Sequence, residues 1–263
     1  MTGIARWLIA GVLAVACAVA GVLVASVVQP RTVAEPQVTP VTVHVTTTAT
    51  ANPSAQPAPV ASPVGIDLKA HSIDDPNSVW VVVNKQRPVD PKNFEPDDLT
   101  ATGIPGGNEV TRSAATALKR MYAAAADDGA GFGSSTAYRS YNFQKGLFQQ
   151  YVNQSGVAKA ETFSARPGYS EHQTGFALDL YDLDAGCAHT ECFANTAAGK
   201  WLVKHAADYG FIERYPDGAT KVTGYKWEPW HWRYVGVELA QYMRDQKIDT
   251  LEEVFGLPPA PDY

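Results

Sequence analysis

Three short segments of the chain place ionisable side chains among apolar ones. The first runs from Ser170 to Asp179 and carries His172 just before a stretch of alternating residues. In that stretch Asp179 faces away from Leu178 and Leu180, and a buried carboxylate is costly unless it is paired or binds a metal. A loop before the strand would bring His172 back toward Asp179. The alternative is a hydrogen-bonded His–Asp pair with a purely structural role.

The second segment, Trp227–Tyr234, places Glu228 three residues before His231 among three tryptophans. On a regular strand these two side chains would face opposite ways, but Pro229 permits a bulge or bend that brings both into one pocket. Two histidines and one aspartate form a catalytic zinc set that leaves the fourth position for water. Glu228 would then be the carboxylate beside that water, available as a base.

The third segment places Arg139 between two tyrosines, Tyr138 and Tyr141, where a strand is expected to give way to a helix. A guanidinium held at such a joint presents a fixed fork of donors for a carboxylate or an oxyanion. The alternative is an arginine that is paired with a nearby acidic side chain.

The elements that must position these groups follow from hydrophobic periodicity and breakers. The predicted helices are Thr111–Ala126, Asn142–Asn153, Thr196–Tyr209 and Val237–Gln246. The predicted strands are Trp80–Val83, Ser134–Tyr138, Thr174–Leu183, Phe211–Ile212 and Tyr225–Tyr234. Helices cluster early and strands late, which predicts an α+β domain with a small antiparallel sheet and helices packed around it.

The N-terminal part of the chain differs in composition from this domain. The run Trp7–Val28 has no charged residue and is about the ~20 residues needed to cross a bilayer. It predicts a membrane anchor over residues 1–28, with a cleaved signal peptide as the alternative. Residues 29–65, rich in Pro, Thr, Val and Ala, predict a disordered stalk. The catalytic domain is expected over 66–256, followed by a tail over 257–263.

Cysteine positions bear on the compartment. Cys187 and Cys192 lie close together, so in an oxidising compartment they would form a local disulfide. Two unrelated thiols are the alternative. Cys17 is read as a small apolar residue of the anchor, with lipidation as the alternative. These observations predict a single-pass protein of the cell membrane with an extracytoplasmic catalytic domain.

The net charge of −6 argues for solubility and identifies no partner. No basic patch or stripe marks a nucleic-acid footprint, so no nucleic-acid partner is expected.

Taken together, the segments resemble the VanY-type D-alanyl-D-alanine carboxypeptidases. These belong to a group of zinc peptidases that includes D,D-dipeptidases, L,D-carboxypeptidases and the Hedgehog-like fold. The resemblance covers about Val79 to Arg244. The motifs that carry it are Ser170-x-His172 with Gly175 and Asp179, Glu228-x-x-His231, Tyr138-Arg139-Ser140 with Gln144, Lys200-Trp201-Leu202, the run from Tyr209 to Pro216, Val83-Asn84-Lys85 and Pro96-x-x-Leu99.

The resemblance implies a role for each matched residue. The zinc ligands would be His172, Asp179 and His231, with Glu228 as catalytic base and acid. Arg139 would hold the substrate carboxylate or the oxyanion.

Two further residues, Ser170 and Gln144, would help to seat the substrate terminus. Pro229 and the insert with Cys187 and Cys192 depart from the common pattern, so the role of that insert rests on the cysteine argument alone.

The implied function is a zinc-dependent D-alanyl-D-alanine carboxypeptidase that trims peptidoglycan stem peptides. A zinc endopeptidase or an L,D-carboxypeptidase acting on peptidoglycan is the alternative. A non-catalytic, zinc-stabilised binding module of Hedgehog type is a third reading. Glu228 argues against it, because a structural zinc site needs no adjacent base.

Overall fold

A computed structural model describes residues 65–263, which all belong to one compact unit. The predicted anchor, residues 1–28, and nearly all of the predicted stalk lie outside the described residues. Within 65–263, no helix combines the length and the apolar character needed to span a membrane.

Strands in the described residues form a pair and a four-stranded sheet, both antiparallel. They are β1 (Leu99–Ala101), β2 (Glu109–Thr111), β3 (Phe132–Thr136), β4 (Ala177–Asp182), β5 (Phe211–Glu213) and β6 (His231–Tyr234). The larger sheet has the order β3-β4-β6-β5. The predicted α+β class with a small antiparallel sheet is confirmed, whereas the β1–β2 pair was not predicted.

The four predicted helices are present with small shifts at their ends. The α-helices of the described residues are α1 (Arg112–Asp127), α2 (Tyr141–Ser155), α3 (Val157–Ala160), α4 (Ala197–His205), α5 (Thr220–Thr223), α6 (Val237–Gln246) and α7 (Leu251–Val254). Ser140 begins α2, because its Oγ accepts a hydrogen bond from the Phe143 N–H at 3.2 Å and so satisfies a free donor of the first turn. The last part of the predicted third helix is a 3₁₀ turn, Ala206–Tyr209.

One large buried apolar cluster covers one face of the four-stranded sheet. Leu118 and Met121 of α1 belong to the same buried cluster as Phe132, Leu178 and Leu180 of the strands. Side chains alternate between the faces of a strand, so the residues between these strand positions point to the opposite face. That second face carries Asp179 and His231.

The prediction of a strand at Trp80–Val83 is wrong, although all four side chains are buried. The backbone of this segment does not pair with another strand. The carbonyl oxygens of Val79 and Val81 instead accept hydrogen bonds from Arg233 Nη2, at 3.0 and 2.9 Å. A guanidinium thus supplies donors that a neighbouring strand would otherwise supply.

The predicted strand Tyr225–Tyr234 is regular only over His231–Tyr234. Before it the chain turns, and the His231 N–H donates to the Glu228 carbonyl at 2.9 Å. Pro229, which has no N–H to donate, lies within this turn. The bend expected at Pro229 is therefore confirmed.

The segment predicted as a tail, 257–263, is packed against the domain. The Ala260 N–H donates to the Val222 carbonyl at 2.8 Å, and Lys85 Nζ donates to the Pro261 carbonyl at 3.0 Å. Tyr263 Oη accepts from the Arg166 N–H at 2.7 Å.

Candidate metal centre and catalytic pocket

His172 lies on a 3₁₀ turn, Glu171–Thr174, that leads into β4. Gly175 follows with a φ of +71°, a left-handed conformation that glycine adopts without steric cost. The His172 ring is buried, and its Nδ1 lies 2.7 Å from the Ala137 carbonyl oxygen. Because a carbonyl can only accept, Nδ1 carries the proton and Nε2 is left as a free acceptor.

Asp179 and His231 are paired in register across β4 and β6, so they share the face opposite the core. Asp179 Oδ1 lies 3.1 Å from His231 Nδ1 and 3.4 Å from His172 Nε2. The other ring nitrogen of His231, Nε2, faces Glu171 Oε2 at 3.7 Å. The sheet register therefore sets the distance between two of the three predicted ligands.

These three side chains fit a zinc ion. One ligand atom from each of His172, Asp179 and His231 lies within 4.8 Å of the others, and all three residues are buried. Among the described residues, none offers a hydrogen bond to His172 Nε2 or Asp179 Oδ1. Buried polar atoms without partners are costly, and a cation bound between two imidazoles and a carboxylate satisfies them.

The charges around His172, Asp179 and His231 favour a positive ion between them. Burial and the nearby Arg139 lower the pKa of His172 to about 4, so that ring is neutral and able to bind metal. Burial would raise the pKa of Asp179, but its histidine neighbours hold it well below the usual range. Burial disfavours the charged form of His231, yet the carboxylates of Asp179 and Glu171 raise its pKa to about 9. Zinc binding therefore displaces a proton.

Glu228 lies beside the three ligands, only 7% exposed. Its Oε2 is 4.0 Å from His231 Nδ1. Burial raises the pKa of Glu228 to about 7, with Asp179 adding to the rise and His231 opposing it. A carboxyl with a pKa near neutrality both accepts and returns protons at pH 7.

The four groups open into a pocket of about 350 Å³. Ser170 and Arg139 line it, and an apolar wall comes from Phe143, Leu147 and Tyr151 of α2. This explains why the apolar side of α2 is not part of the core. No ion pair between described residues involves Arg139, and its Nε is buried without a hydrogen-bond partner there.

Gln144 lies apart from the pocket surface. It is fully buried, and its Nε2 donates to the Ala165 carbonyl at 2.8 Å. Ala165 and Ser164 themselves line the pocket. Gln144 thus supports a wall of the pocket, and its predicted part in seating the substrate stays a prediction.

Sequence reasoning missed Glu171, which lies between Ser170 and His172 at the position that the motif leaves open. Its Oε1 accepts from Arg214 Nε at 2.8 Å and from Arg233 Nη1 at 3.0 Å. All three side chains have no exposed surface. Glu171 Oε2 faces His231 Nε2 at 3.7 Å, while Nδ1 of the same ring faces Asp179. A carboxylate next to the second nitrogen of a metal-binding histidine is common at metal sites.

The chain matches the family model described as "VanY: D-alanyl-D-alanine carboxypeptidase" over residues 107–237. It is 40% identical over 191 residues to the putative carboxypeptidase YodJ of Bacillus subtilis strain 168. That match covers 70% of this chain and 69% of YodJ.

Solved structures agree with this relationship. The LdcB LD-carboxypeptidase superposes with a TM-score of 0.64 and 39% identity, covering 69% of this chain and 87% of LdcB. A mutant of the vancomycin-resistance D,D-pentapeptidase VanY, from the VanB-type cassette and in complex with Zn(II), superposes with a TM-score of 0.58 and 30% identity, covering 66% and 97%. The pocket has the residues of a zinc peptidase, and the sequence and structural relatives of the chain are of the same kind. The chain therefore belongs to the VanY D-alanyl-D-alanine carboxypeptidase family of zinc metallopeptidases.

Proposed function

We propose that this enzyme is a zinc D,D-carboxypeptidase that removes the terminal D-alanine from peptidoglycan stem peptides. The observation that carries the hydrolytic part is the buried Glu228 carboxyl beside the His172, Asp179 and His231 cluster, in which His172 Nε2 and Asp179 Oδ1 have no hydrogen-bond partner among the described residues. Family membership supports the substrate class. A merely structural zinc site would need neither an adjacent base nor an open pocket, which argues against a binding module.

Zinc, when bound, would act as a Lewis acid that lowers the pKa of a water molecule to about 7 and polarises the scissile carbonyl. Glu228 accepts the proton of the water whose oxygen attacks the carbonyl carbon. As the C–N bond breaks, Glu228 returns that proton to the nitrogen of the departing D-alanine. One carboxyl therefore acts first as base and then as acid.

Arg139 supplies the charge complement. Its guanidinium lines the pocket, forms no ion pair with another described residue, and can bind a carboxylate through two parallel hydrogen bonds. A carboxypeptidase must recognise the free carboxylate of its substrate, so Arg139 favours cleavage at a chain end over cleavage within a cross-link. The apolar wall of α2 excludes water from one side of the pocket.

An L,D-carboxypeptidase is the second candidate. LdcB, an LD-carboxypeptidase, is 39% identical to this chain over the aligned part and superposes with a TM-score of 0.64. The two activities differ in the residue that precedes the terminal D-alanine, and both use the same ligands and base.

Stem peptides of defined length separate these activities. The zinc-loaded full-length chain is incubated with a pentapeptide ending in D-alanyl-D-alanine, with the matching tetrapeptide, and with a cross-linked dimer. We expect the pentapeptide to become lighter by the mass of one alanine residue, with free alanine released, and the tetrapeptide to persist. Mass spectrometry of the products is the measurement, and Glu228→Gln is the control for a contaminating peptidase.

Each other product pattern contradicts the proposal in a distinct way. Shortening of the tetrapeptide assigns L,D-carboxypeptidase activity. Conversion of the dimer to monomers without release of alanine assigns an endopeptidase. If all three peptides persist while zinc is bound, the protein is a zinc-stabilised binding module and not a peptidase.

We also propose that the enzyme is a single-pass protein of the cell membrane with its catalytic domain outside the cytoplasm. The uncharged run Trp7–Val28 supports an anchor, and residues 29–65 supply a stalk. The disulfide between Cys187 and Cys192 supports an oxidising compartment.

Fractionation of cells tests the anchor. We expect the full-length chain to sediment with membranes, to resist extraction by high salt, and to be released by detergent. Protease added to intact cells without their wall should remove the catalytic domain. A soluble protein whose N-terminus lies near Val28 would assign a cleaved signal peptide and contradict the anchor.

A further inference from the structure

A third histidine lies at the edge of the metal centre, outside every motif considered above. His189 belongs to the loop that the Cys187–Cys192 disulfide closes, six residues in sequence with Cα atoms of the cysteines 5.6 Å apart. Its side chain is 49% exposed and lines the catalytic pocket. Both Cys187 and His189 have a positive φ of 52°, so the loop is tightly turned where it presents this ring.

The hydrogen bonds around His189 assign its proton. Its Nε2 lies 3.0 Å from Ser135 Oγ and 3.5 Å from Asp179 Oδ2. Ser135 Oγ is 3.2 Å from the Asp179 carbonyl oxygen and donates its only proton to it. Ser135 can therefore only accept from His189, which places a proton on Nε2. That N–H lies between two acceptors, the Ser135 hydroxyl and the Asp179 carboxylate.

An irregularity of the sheet brings Ser135 to this position. In the pairing of β3 with β4, Ser134 is opposite Leu180 and Thr136 is opposite Asp179, which leaves Ser135 as an extra residue. Such a bulge re-aims a side chain and is frequent next to active sites. The bulge thus places Ser135 Oγ between the backbone carbonyl of Asp179 and the His189 ring, whose Nε2 also faces the Asp179 carboxylate.

The two oxygens of Asp179 have different neighbours as a result. Oδ1 faces His172 and His231 and has no hydrogen-bond partner among the described residues, so it is the oxygen left for zinc. Oδ2 faces the His189 N–H. A donor that faces Oδ2 at 3.5 Å disfavours a bidentate carboxylate, because a metal bond to that oxygen would displace the donor.

We propose that His189 is a positioning residue for the metal centre: its Nε2–H holds Asp179 Oδ2 and keeps the carboxylate monodentate through Oδ1. The disulfide fixes the loop so that the ring stays in place. The inference rests on the zinc site of the proposed function and not on its substrate. A zinc-affinity measurement can therefore contradict this inference without contradicting the proposed substrate, and a hydrolysis measurement can contradict the substrate without contradicting this inference.

The test compares zinc binding by three full-length variants with that of the parent chain. Loss of an outer-shell partner weakens metal binding by about 10–100-fold, and we expect a loss of that order for His189→Leu in chelator competition. His189→Gln keeps an N–H donor near the same position and should retain most of the affinity. Ser135→Ala removes the competing acceptor together with its hydrogen bond to the Asp179 backbone carbonyl. The His189 N–H then has the Asp179 carboxylate as its remaining acceptor, and the variant should bind zinc at least as well as the parent.

Cobalt substitution gives a readout that a purely structural role would not move. The visible spectrum of Co(II) responds to coordination number, so a change to a bidentate carboxylate in His189→Leu should alter its intensity, whereas His189→Gln should resemble the parent. Melting of the metal-free proteins checks the fold, and we expect little change because the side chain is half exposed.

The cysteines test the part assigned to the loop. Cys187→Ser with Cys192→Ser should also weaken zinc binding, and adding His189→Leu to that pair should cost less than it costs in the parent, as expected for coupled sites. An unchanged zinc affinity and cobalt spectrum in His189→Leu would overturn the proposal. So would an equal loss in the Leu and Gln variants, because it would show that ring packing matters and not the donor.

Discussion

Replacing Glu228 by glutamine is expected to leave one zinc ion per chain and to lower turnover by about 10²–10⁴-fold, the usual contribution of a positioned acid–base group. Glutamine has nearly the same shape but neither accepts nor returns a proton. The three ligands His172, Asp179 and His231 are untouched, so metal content should not change. Metal analysis beside hydrolysis of the stem pentapeptide measures both quantities on one sample.

The matched control is His172→Ala, which removes a ligand and leaves the base. Zinc content and hydrolysis should then fall together, in contrast to the Glu228 variant. If Glu228→Gln loses its zinc, Glu228 is a ligand and the assignment of roles is wrong. If it turns over substrate like the parent, another group is the base.

Replacing Glu171 by glutamine should lower the free energy of unfolding of the metal-free protein by about 3–5 kcal/mol, the range found when one partner of a buried ion pair is removed. The carboxylate lies between the guanidiniums of Arg214 and Arg233 with no exposed surface. Arg214 retains Glu252, at 2.7 and 2.9 Å, whereas Arg233 loses the acid that compensates its buried charge. Urea unfolding followed by circular dichroism measures the difference.

Asp74→Asn is a suitable control, because it breaks an ion pair at the surface. Asp74 lies 2.5 Å from Arg87 Nη2, but its side chain is 79% exposed. Exposed pairs contribute about 0–1 kcal/mol. Equal destabilisation by the two variants would contradict the assignment of Glu171 to the buried network.

Acid should reduce the contribution of Glu171 to the stability of the fold. Burial alone would raise its pKa, but Arg214 and Arg233 hold the pKa well below its usual range. A carboxyl whose pKa is lowered by folding stabilises the protein above its unfolded pKa of about 4, and this contribution is lost as the pH falls. The difference in the free energy of unfolding between the parent and Glu171→Gln should therefore become smaller in acid.

Local sequence signals were sufficient for the parts of the fold that repeat over several turns or alternate cleanly. The helix Arg112–Asp127 and the strand Ala177–Asp182 lie close to their predicted ranges. The strand predicted at Trp80–Val83 was wrong because a short apolar sequence indicates that the segment is buried but not which group its backbone hydrogen-bonds to. That partner is the side chain of Arg233, more than a hundred residues away.

The candidate site was predictable to the extent that its groups are close in sequence. His172 and Asp179 share one motif, and Glu228 and His231 share another, and the structure brings all four side chains to one pocket. The outer groups were not predictable, because they depend on tertiary contacts. Glu171 meets Arg214 and Arg233 only after the sheet has formed, and His189 reaches Asp179 only through a loop that the known motifs do not include.

The strand order gives this metal centre a use in protein design. Arg139 follows β3, Asp179 lies on β4 and His231 on β6, and these are adjacent strands of one sheet. The unit that would have to be transplanted is thus three neighbouring antiparallel strands, with a 3₁₀ turn leading into the middle one. A host scaffold that already has such strands in the same register would inherit the spacing of Asp179 and His231 from its own backbone pairing, and the turn that carries His172 would be grafted together with the side chains.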